Sequence, residues 1–173
     1  IFVLLGFFIT ALTQSSSAAI AIILTAAGEG IIGVNVAAAA VIGANIGTTS
    51  TAVIAAFNAT PNAKRVAAGH VAFNVITGLV ALSLLPLFIW FVSAAGHLIG
   101  MKDQPALFLA LFHTLFNLLG VILIAPFTNR LTSLLEKMFQ TEEEEISLPQ
   151  YLDKTVTDTP VLAMAALWKE LNR

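Results

Sequence analysis

The chain has 173 residues, of which 58% are hydrophobic and 10% are charged, and its net charge is -2. Soluble domains carry about 25% charged residues, so the composition excludes an ordinary soluble fold and places much of the chain in lipid. The negative net charge argues against nucleic-acid binding, and the absence of cysteine excludes disulfides and thiolate metal sites. Because residues 1–127 hold five charges and residues 128–173 hold thirteen, we expect a membrane part followed by a polar part.

The first membrane feature is a polar break inside an apolar segment. Residues 1–13 and 18–27 are apolar, and each stretch is shorter than the roughly 20 residues that a crossing helix needs. They flank Gln14, Ser15, Ser16 and Ser17. Irregular backbone at membrane depth is tolerated only where it is buried in protein or lines a watery cavity. The pattern therefore predicts a re-entrant helical hairpin over residues 1–28.

A second interrupted segment follows at residues 31–57, which is long enough to cross a membrane. Its centre holds two glycines and several polar residues: Gly43, Asn45, Gly47, Thr48, Thr49, Ser50 and Thr51. This content predicts a broken helix, and paired interrupted segments are typical of transporter binding sites. The alternative is that Gly43 and Gly47, four residues apart, form a GxxxG packing face.

Two ordinary spans are predicted at residues 66–95 and 106–127, the first long enough to need tilt or a kink near Pro86. Basic residues precede the first span and follow the second, so both groups lie on one side of the membrane. The positive-inside rule makes that side cytoplasmic and places the Lys102/Asp103 loop outside. The basic residues are Lys64, Arg65, Arg130 and Lys137.

The chain changes character after the last span. Apolar residues at helical spacing predict an amphipathic helix at the membrane surface, and Glu142, Glu143, Glu144 and Glu145 predict a solvated linker. We assign residues 128–145 to this helix and linker, and residues 146–173 to the start of a cytoplasmic helical region.

The serine cluster and the threonine cluster have the same chemistry. Their hydroxyl oxygens can bind a cation, and their hydrogens can be donated to an anion. Half-helix ends at a hairpin tip add unpaired N–H groups for anions and carbonyls for cations. The alternative is that serines in membrane helices bond back to their own carbonyls or mediate close packing.

A short motif occurs twice, as His70-x-x-Phe73-Asn74 and His113-x-x-Phe116-Asn117. Histidine and asparagine four residues apart share a helix face. Two histidines without carboxylates or thiolates make a poor metal site, so we predict that they bridge helices. The alternative is pH sensing through histidine.

Together, the stretch around Gln14-Ser15-Ser16-Ser17 and Gly43-Ala44-Asn45-Ile46-Gly47-Thr48-Thr49 resembles the sodium-dependent phosphate cotransporter family. The resemblance covers roughly residues 3–138 and looks like the second of the family's two inverted repeats. It implies an all-α integral membrane fold and places this chain as one half of an inverted-repeat transporter. Residues 152–173 look like the lead-in to the PhoU-like cytoplasmic domain of bacterial members.

The resemblance also implies a sodium-coupled transporter of inorganic phosphate that works by alternating access in the plasma membrane, with a cytoplasmic C-terminal region. Its ligands are phosphate and sodium, with no other metal and no cofactor. Because one QSSS motif is present, a missing first repeat or a second copy in a homodimer completes the site. The site residues implied are Gln14, Ser15, Ser16, Ser17, Asn45, Thr48, Thr49, Ser50 and Thr51.

Two other functions fit the sequence. One is a sodium-coupled carrier of another anion such as a dicarboxylate, and the other is a non-transporting, phosphate-sensing membrane module. An enzyme is disfavoured, because the apolar part lacks an acid–base or nucleophile–base constellation.

Overall fold

A computed structural model of the protein describes residues 1–101, 104–140, 149–152, 156 and 158–172. All regular elements in these ranges are helical, which confirms the predicted all-α class. The helices are α1 (Phe2–Thr13), α2 (Ser16–Gly28), α3 (Val34–Ala56), α4 (Pro61–Ser83), α5 (Leu85–Leu98), α6 (Pro105–Ile124), α7 (Thr128–Glu136) and α8 (Pro160–Leu171). The Lys102/Asp103 loop and the acidic linker lie outside the described residues.

Within the described ranges, three helical stretches are long and apolar enough to cross a membrane: Val34–Ala56, Pro61–Ser83 and Pro105–Glu136. The last stretch joins α6 to α7 through the short 3-10 turn Ala125–Phe127. Helices α1, α2 and α5 are apolar but have 12 to 14 residues each, which is too short for a crossing of about 20 residues.

Helices α1 and α2 form a hairpin with a two-residue turn. Helix α1 ends because Gln14 adopts a left-handed backbone conformation with φ 53°, as helix C-caps often do. Ser15 is extended, with φ -146°, and its side chain accepts a hydrogen bond from the backbone N–H of Ala18. This is the geometry of a serine N-cap, so the polar residues that interrupt the apolar run also set both helix ends.

Helix α3 is continuous from Val34 to Ala56, whereas the sequence predicted a broken helix over residues 31–57. The hydroxyl groups in its centre do not break the helix, because they bond within it. Thr49 Oγ1 donates to Ile46 O at 2.7 Å, and Ser50 Oγ donates to Gly47 O at 2.7 Å. Such back-bonding is a common role of serine and threonine in membrane helices.

The glycines of α3 instead allow α1 to approach closely. A Cβ atom added to Gly43 would overlap the carbonyl oxygen of Val3, and one added to Gly6 would overlap that of Ala40. Backbone atoms cannot move aside as a flexible side chain can, so only glycine fits at these two positions. The alternative of a small-residue packing face is thus the arrangement that the structure has.

The segment predicted as one span at residues 66–95 contains two helices. Helix α4 ends at Ser83, Leu84 leaves helical geometry with φ -106°, and α5 carries Pro86 in its first turn. Proline lacks the N–H that would continue α4, and its ring clashes with the preceding turn. The helix interruption therefore lies two residues before Pro86.

The C-terminal end of α7 contacts the start of α4. Arg65 Nε donates to the carbonyl oxygen of Met138 at 2.9 Å, and Leu135 packs against Gly69. Helices α5 and α6 contact each other through Phe88 and Phe112, whose ring centroids lie 5.0 Å apart.

The described chain divides into two compact units, Ile1–Met138 and Phe139–Arg173. The second unit contains α8. The carboxylate of Glu170 on this helix accepts hydrogen bonds from the backbone N–H groups of Gln150 and Tyr151. Lys169 lies over the ring of Tyr151, 5.6 Å from its centroid.

Candidate functional site

An open pocket of about 600 Å³ lies at the tip of the hairpin. It extends from the turn between α1 and α2 along the C-terminal half of α3 to the first turns of α4. The lining residues are Gln14, Ser15, Ser16, Ser17, Thr48, Thr51, Ala52, Ala55, Ala56, Ala63, Val66, Ala67 and His70. The pocket lining thus combines seven polar side chains with six small apolar ones.

The start of α2 lies at this pocket. The Ser15 side chain accepts a hydrogen bond from the N–H of Ala18, while the N–H groups of Ser16 and Ser17 precede the first helical bonds. Gln14 follows the end of α1 and lines the pocket, and its Nε2 donates to the carbonyl oxygen of Ala11. A helix N-terminus favours an anion, so the start of α2 offers an anion complementary backbone.

Thr48 is the side chain of α3 whose environment in the pocket is best defined. Its hydroxyl donates to the carbonyl oxygen of Asn45 at 2.6 Å. Because its single hydrogen is used within the helix, the oxygen lone pairs remain for a donor or a cation. Thr51 also lines the pocket and is exposed.

The predicted site residues are only partly brought together. Gln14, Ser15, Ser16, Ser17, Thr48 and Thr51 share the pocket, but Asn45, Thr49 and Ser50 do not line it. Asn45 and Thr49 are buried at 6% and 7% exposure, although Asn45 lies one turn before Thr48 on the same side of α3. The sequence did not separate buried from pocket-lining residues, because burial depends on which helices pack against each part of α3.

The two histidine motifs both contact α3. His70 Nε2 lies 3.3 Å from Thr48 Oγ1, and His113 Nε2 lies 3.3 Å from Asn45 Oδ1. Each motif asparagine donates to the carbonyl oxygen of its own histidine, Asn74 at 3.0 Å and Asn117 at 2.8 Å. The histidines therefore join α4 and α6 to α3 as bridging contacts, and pH sensing stays a prediction.

His70 is the polar pocket residue that the sequence did not include in the ligand site. Its spacing from Asn74 places both residues on one helix face, but this spacing does not show that the face meets the pocket.

Three buried polar atoms have no hydrogen-bond partner in the part of the chain that the structure describes: Thr10 Oγ1, Asn45 Nδ2 and Thr77 Oγ1. Thr10 faces Gly47 at the contact of α1 with α3, and Thr77 faces Gly120 of α6. The described residues also contain no group of three or more histidine or acidic side chains that could hold a metal ion. The polar groups that line the pocket are hydroxyls, one amide, one imidazole and the start of α2.

These features define an integral membrane protein with a polar pocket at the tip of a helical hairpin. Residues 2–85 match the family model described as Na+/Pi-cotransporter, which covers the hairpin, α3 and α4. The resemblance to the sodium-dependent phosphate cotransporter family is thereby confirmed over this part of the chain.

Longer bacterial proteins are similar to the chain. "Uncharacterized protein YqeW" of Bacillus subtilis is 39% identical over 126 residues, which are 73% of this chain and 39% of that protein. Proteins of Salmonella typhimurium and Escherichia coli K12, each named "Putative inorganic phosphate export protein YjbB", are 32% and 31% identical over 173 residues. These matches cover 98% of this chain and 31% of each YjbB protein. The chain thus spans about a third of the length of these relatives, and no solved structure matches it.

Proposed function

We propose that this chain provides half of the substrate site of a secondary transporter that moves inorganic phosphate together with sodium. The observation that carries the proposal is the shared pocket of the QSSS tip and the α3 threonines. It combines hydroxyl oxygens that suit sodium with N–H and O–H donors that suit an anion. The match of residues 2–85 to the Na+/Pi-cotransporter family supports the choice of phosphate and sodium.

The pocket suits an anion without a lysine or arginine among its lining residues. Phosphate accepts hydrogen bonds from the serine hydroxyls of the hairpin tip and from the N–H groups at the start of α2, whose helix dipole adds partial positive charge. Bound sodium supplies the remaining charge compensation. Binding of one ligand therefore favours binding of the other, which is the thermodynamic basis of coupled transport.

The second half of the site comes from a second hairpin, either elsewhere in the same protein or in a second copy of it. The two halves approach the ligands from opposite sides, as in inverted-repeat transporters, and rocking of one against the other gives alternating access. The positive-inside rule places Lys64 and Arg65 in the cytoplasm of the cell. The pocket runs toward that end of α4, so it opens inward.

Uptake by liposomes tests this function. The protein encoded by the gene is purified and reconstituted, and radiolabelled phosphate is supplied with an inward sodium gradient. We expect accumulation with sodium and none when choline replaces it. Efflux from loaded liposomes is measured as well, because two of the relatives are named as export proteins. Sodium-independent phosphate movement in both directions would contradict the coupling.

The same liposomes separate the alternatives. An excess of a dicarboxylate such as succinate should leave phosphate uptake unchanged, and strong competition would favour a carrier of another anion. Phosphate binding without exchange of labelled for unlabelled phosphate across the membrane would favour a sensing module.

A further inference from the structure

His70 differs in kind from the other residues that line the pocket. Within the described lining it is the one titratable side chain; the rest are hydroxyls, one amide and small apolar groups. It lies on α4, opposite the hairpin tip and the α3 threonines, and its side chain is exposed. An imidazole on the wall of a polar pocket is able to contact whatever ligand occupies that pocket.

The neighbours of the His70 ring restrict how it can bond. Nε2 lies 3.3 Å from Thr48 Oγ1 and 3.3 Å from Asn74 Nδ2. Thr48 already donates its hydrogen to Asn45 O, so toward the ring it acts as an acceptor. Asn74 Nδ2 can only donate. Nε2 therefore either donates to Thr48 or accepts from Asn74, and it cannot do both.

The other ring nitrogen, Nδ1, has no hydrogen-bond partner among the described residues. If Nε2 accepts from Asn74, the neutral ring carries its hydrogen on Nδ1. If the ring is doubly protonated, Nε2–H donates to Thr48 and Nδ1–H is again free. Two of the three protonation forms thus leave an N–H at Nδ1 that needs an acceptor.

We propose that His70 is a further residue of the anion site and donates its free ring N–H to an oxygen of bound phosphate. The inference rests on the proposed function and assigns to His70 a role in ligand affinity. Either Thr48 or Asn74 bonds to Nε2, depending on the protonation form, so the ring meets the ligand already oriented. A hydrogen bond to an ionised phosphate oxygen is about twice as strong as one between neutral groups.

The second motif supplies a matched control within the same chain. His113 has the same spacing to Asn117 and also contacts α3, but it is half-buried, bonds to Asn45 and does not line the pocket. Loss of either histidine removes one bridge to α3. Only loss of His70 removes a group that faces the ligand.

The experiment compares His70→Ala, His70→Asn and His113→Ala in the reconstituted protein, with rates expressed per amount of folded protein. The readouts are the phosphate concentration series of sodium-driven uptake and the equilibrium binding of radiolabelled phosphate. We expect His70→Ala to raise KM and Kd about tenfold, which corresponds to about 1.4 kcal/mol. His70→Asn restores part of the affinity, because its amide N–H lies near the position of Nδ1. His113→Ala lowers the maximal rate or the folded amount and changes KM less than twofold.

An unchanged phosphate KM in His70→Ala would overturn the inference and leave the proposed function intact. An equal rise of KM in His70→Ala and His113→Ala would also overturn it, because a general loss of helix bridging would then explain both. Failure of the unmodified protein to bind or move phosphate is a distinct result, which would refute the proposed function itself.

Discussion

Nε2 of His113 lies 3.3 Å from Oδ1 of Asn45, and this contact joins α6 to the centre of α3. Asn45 is 6% exposed, and its amide nitrogen has no partner in the described part of the chain. The residue that the family resemblance assigns to the ligand site therefore has a structural contact with α6 and does not line the pocket. Its backbone carbonyl in turn accepts the hydrogen bond of Thr48, which does line the pocket.

We predict a measurable coupling energy between Asn45 and His113. A double-mutant cycle with Asn45→Ala and His113→Ala should give about 0.6 kcal/mol, and at most about 1.7 kcal/mol, the range found for hydrogen bonds between membrane helices. The measurement is the free energy of unfolding in mixed detergent micelles. A cycle of Asn45→Ala with His97→Ala serves as the control, since His97 lies on α5 and no hydrogen bond joins it to Asn45. Equal coupling energies in both cycles would show that Asn45 and His113 do not form this hydrogen bond.

The close approach of α1 and α3 gives a second prediction. Gly43→Val should lower the melting temperature sharply, because the new side chain overlaps the backbone of Val3 and costs about 1–3 kcal/mol or more. Gly33→Val is the matched control: Gly33 has φ -72° and no atom within 4 Å of an added Cβ. Equal melting temperatures for the two variants would show that α1 does not pack on Gly43.

The sequence predicted the α1–α2 hairpin correctly but not the continuity of α3. The hairpin was predicted because a polar break between two short apolar runs is a local signal, read directly from composition. The prediction of a break in α3 was wrong because hydroxyls and glycines can have two opposite effects on a helix. They can interrupt a helix, or they can bond back and allow packing, and only the presence of Val3 against Gly43 decides between these.

The pocket shows the same limit. Gln14 and Thr48 lie on different helices, so sequence spacing alone does not place them in one site. Only the family resemblance predicted that they share it. Thr49 and Thr51 cannot be told apart by residue type, yet one is buried and the other lines the pocket. His70 joins the site through the packing of α4 against α3, which no local pattern encodes.

The cap that Ser15 forms can be separated from the role in ligand binding that we propose for the hairpin serines. It caps α2 through the N–H of Ala18, so Ser15→Ala should destabilise the protein by about 1 kcal/mol. Ser17→Ala removes a pocket hydroxyl that makes no such cap, and we expect phosphate affinity to fall with little change in stability. Thermal unfolding and phosphate binding are measured on both variants. A larger loss of stability in Ser17→Ala than in Ser15→Ala would contradict this division.

The orientation in the membrane can be tested with single introduced cysteines, since residues 1–173 contain no native cysteine. Ile31→Cys and Asn58→Cys place one thiol in each loop that flanks α3, both at exposed positions. In intact cells, a membrane-impermeant maleimide should label Ile31→Cys but label Asn58→Cys only after permeabilisation. The reverse pattern would invert the orientation and make the pocket open outward.

The central claim is that the serines of the hairpin tip hold the transported ligands. The most direct test is sodium-driven phosphate uptake by liposomes that contain the protein with Ser15, Ser16 and Ser17 all changed to alanine. Ser83→Ala is the control, because Ser83 is an exposed serine of α4 that bonds to its own helix at Leu79 O and lies outside the pocket. We expect the triple variant, reconstituted as folded protein, to lose uptake and Ser83→Ala to keep it. Uptake by the triple variant equal to that of the Ser83→Ala control would show that these serines do not hold the ligands.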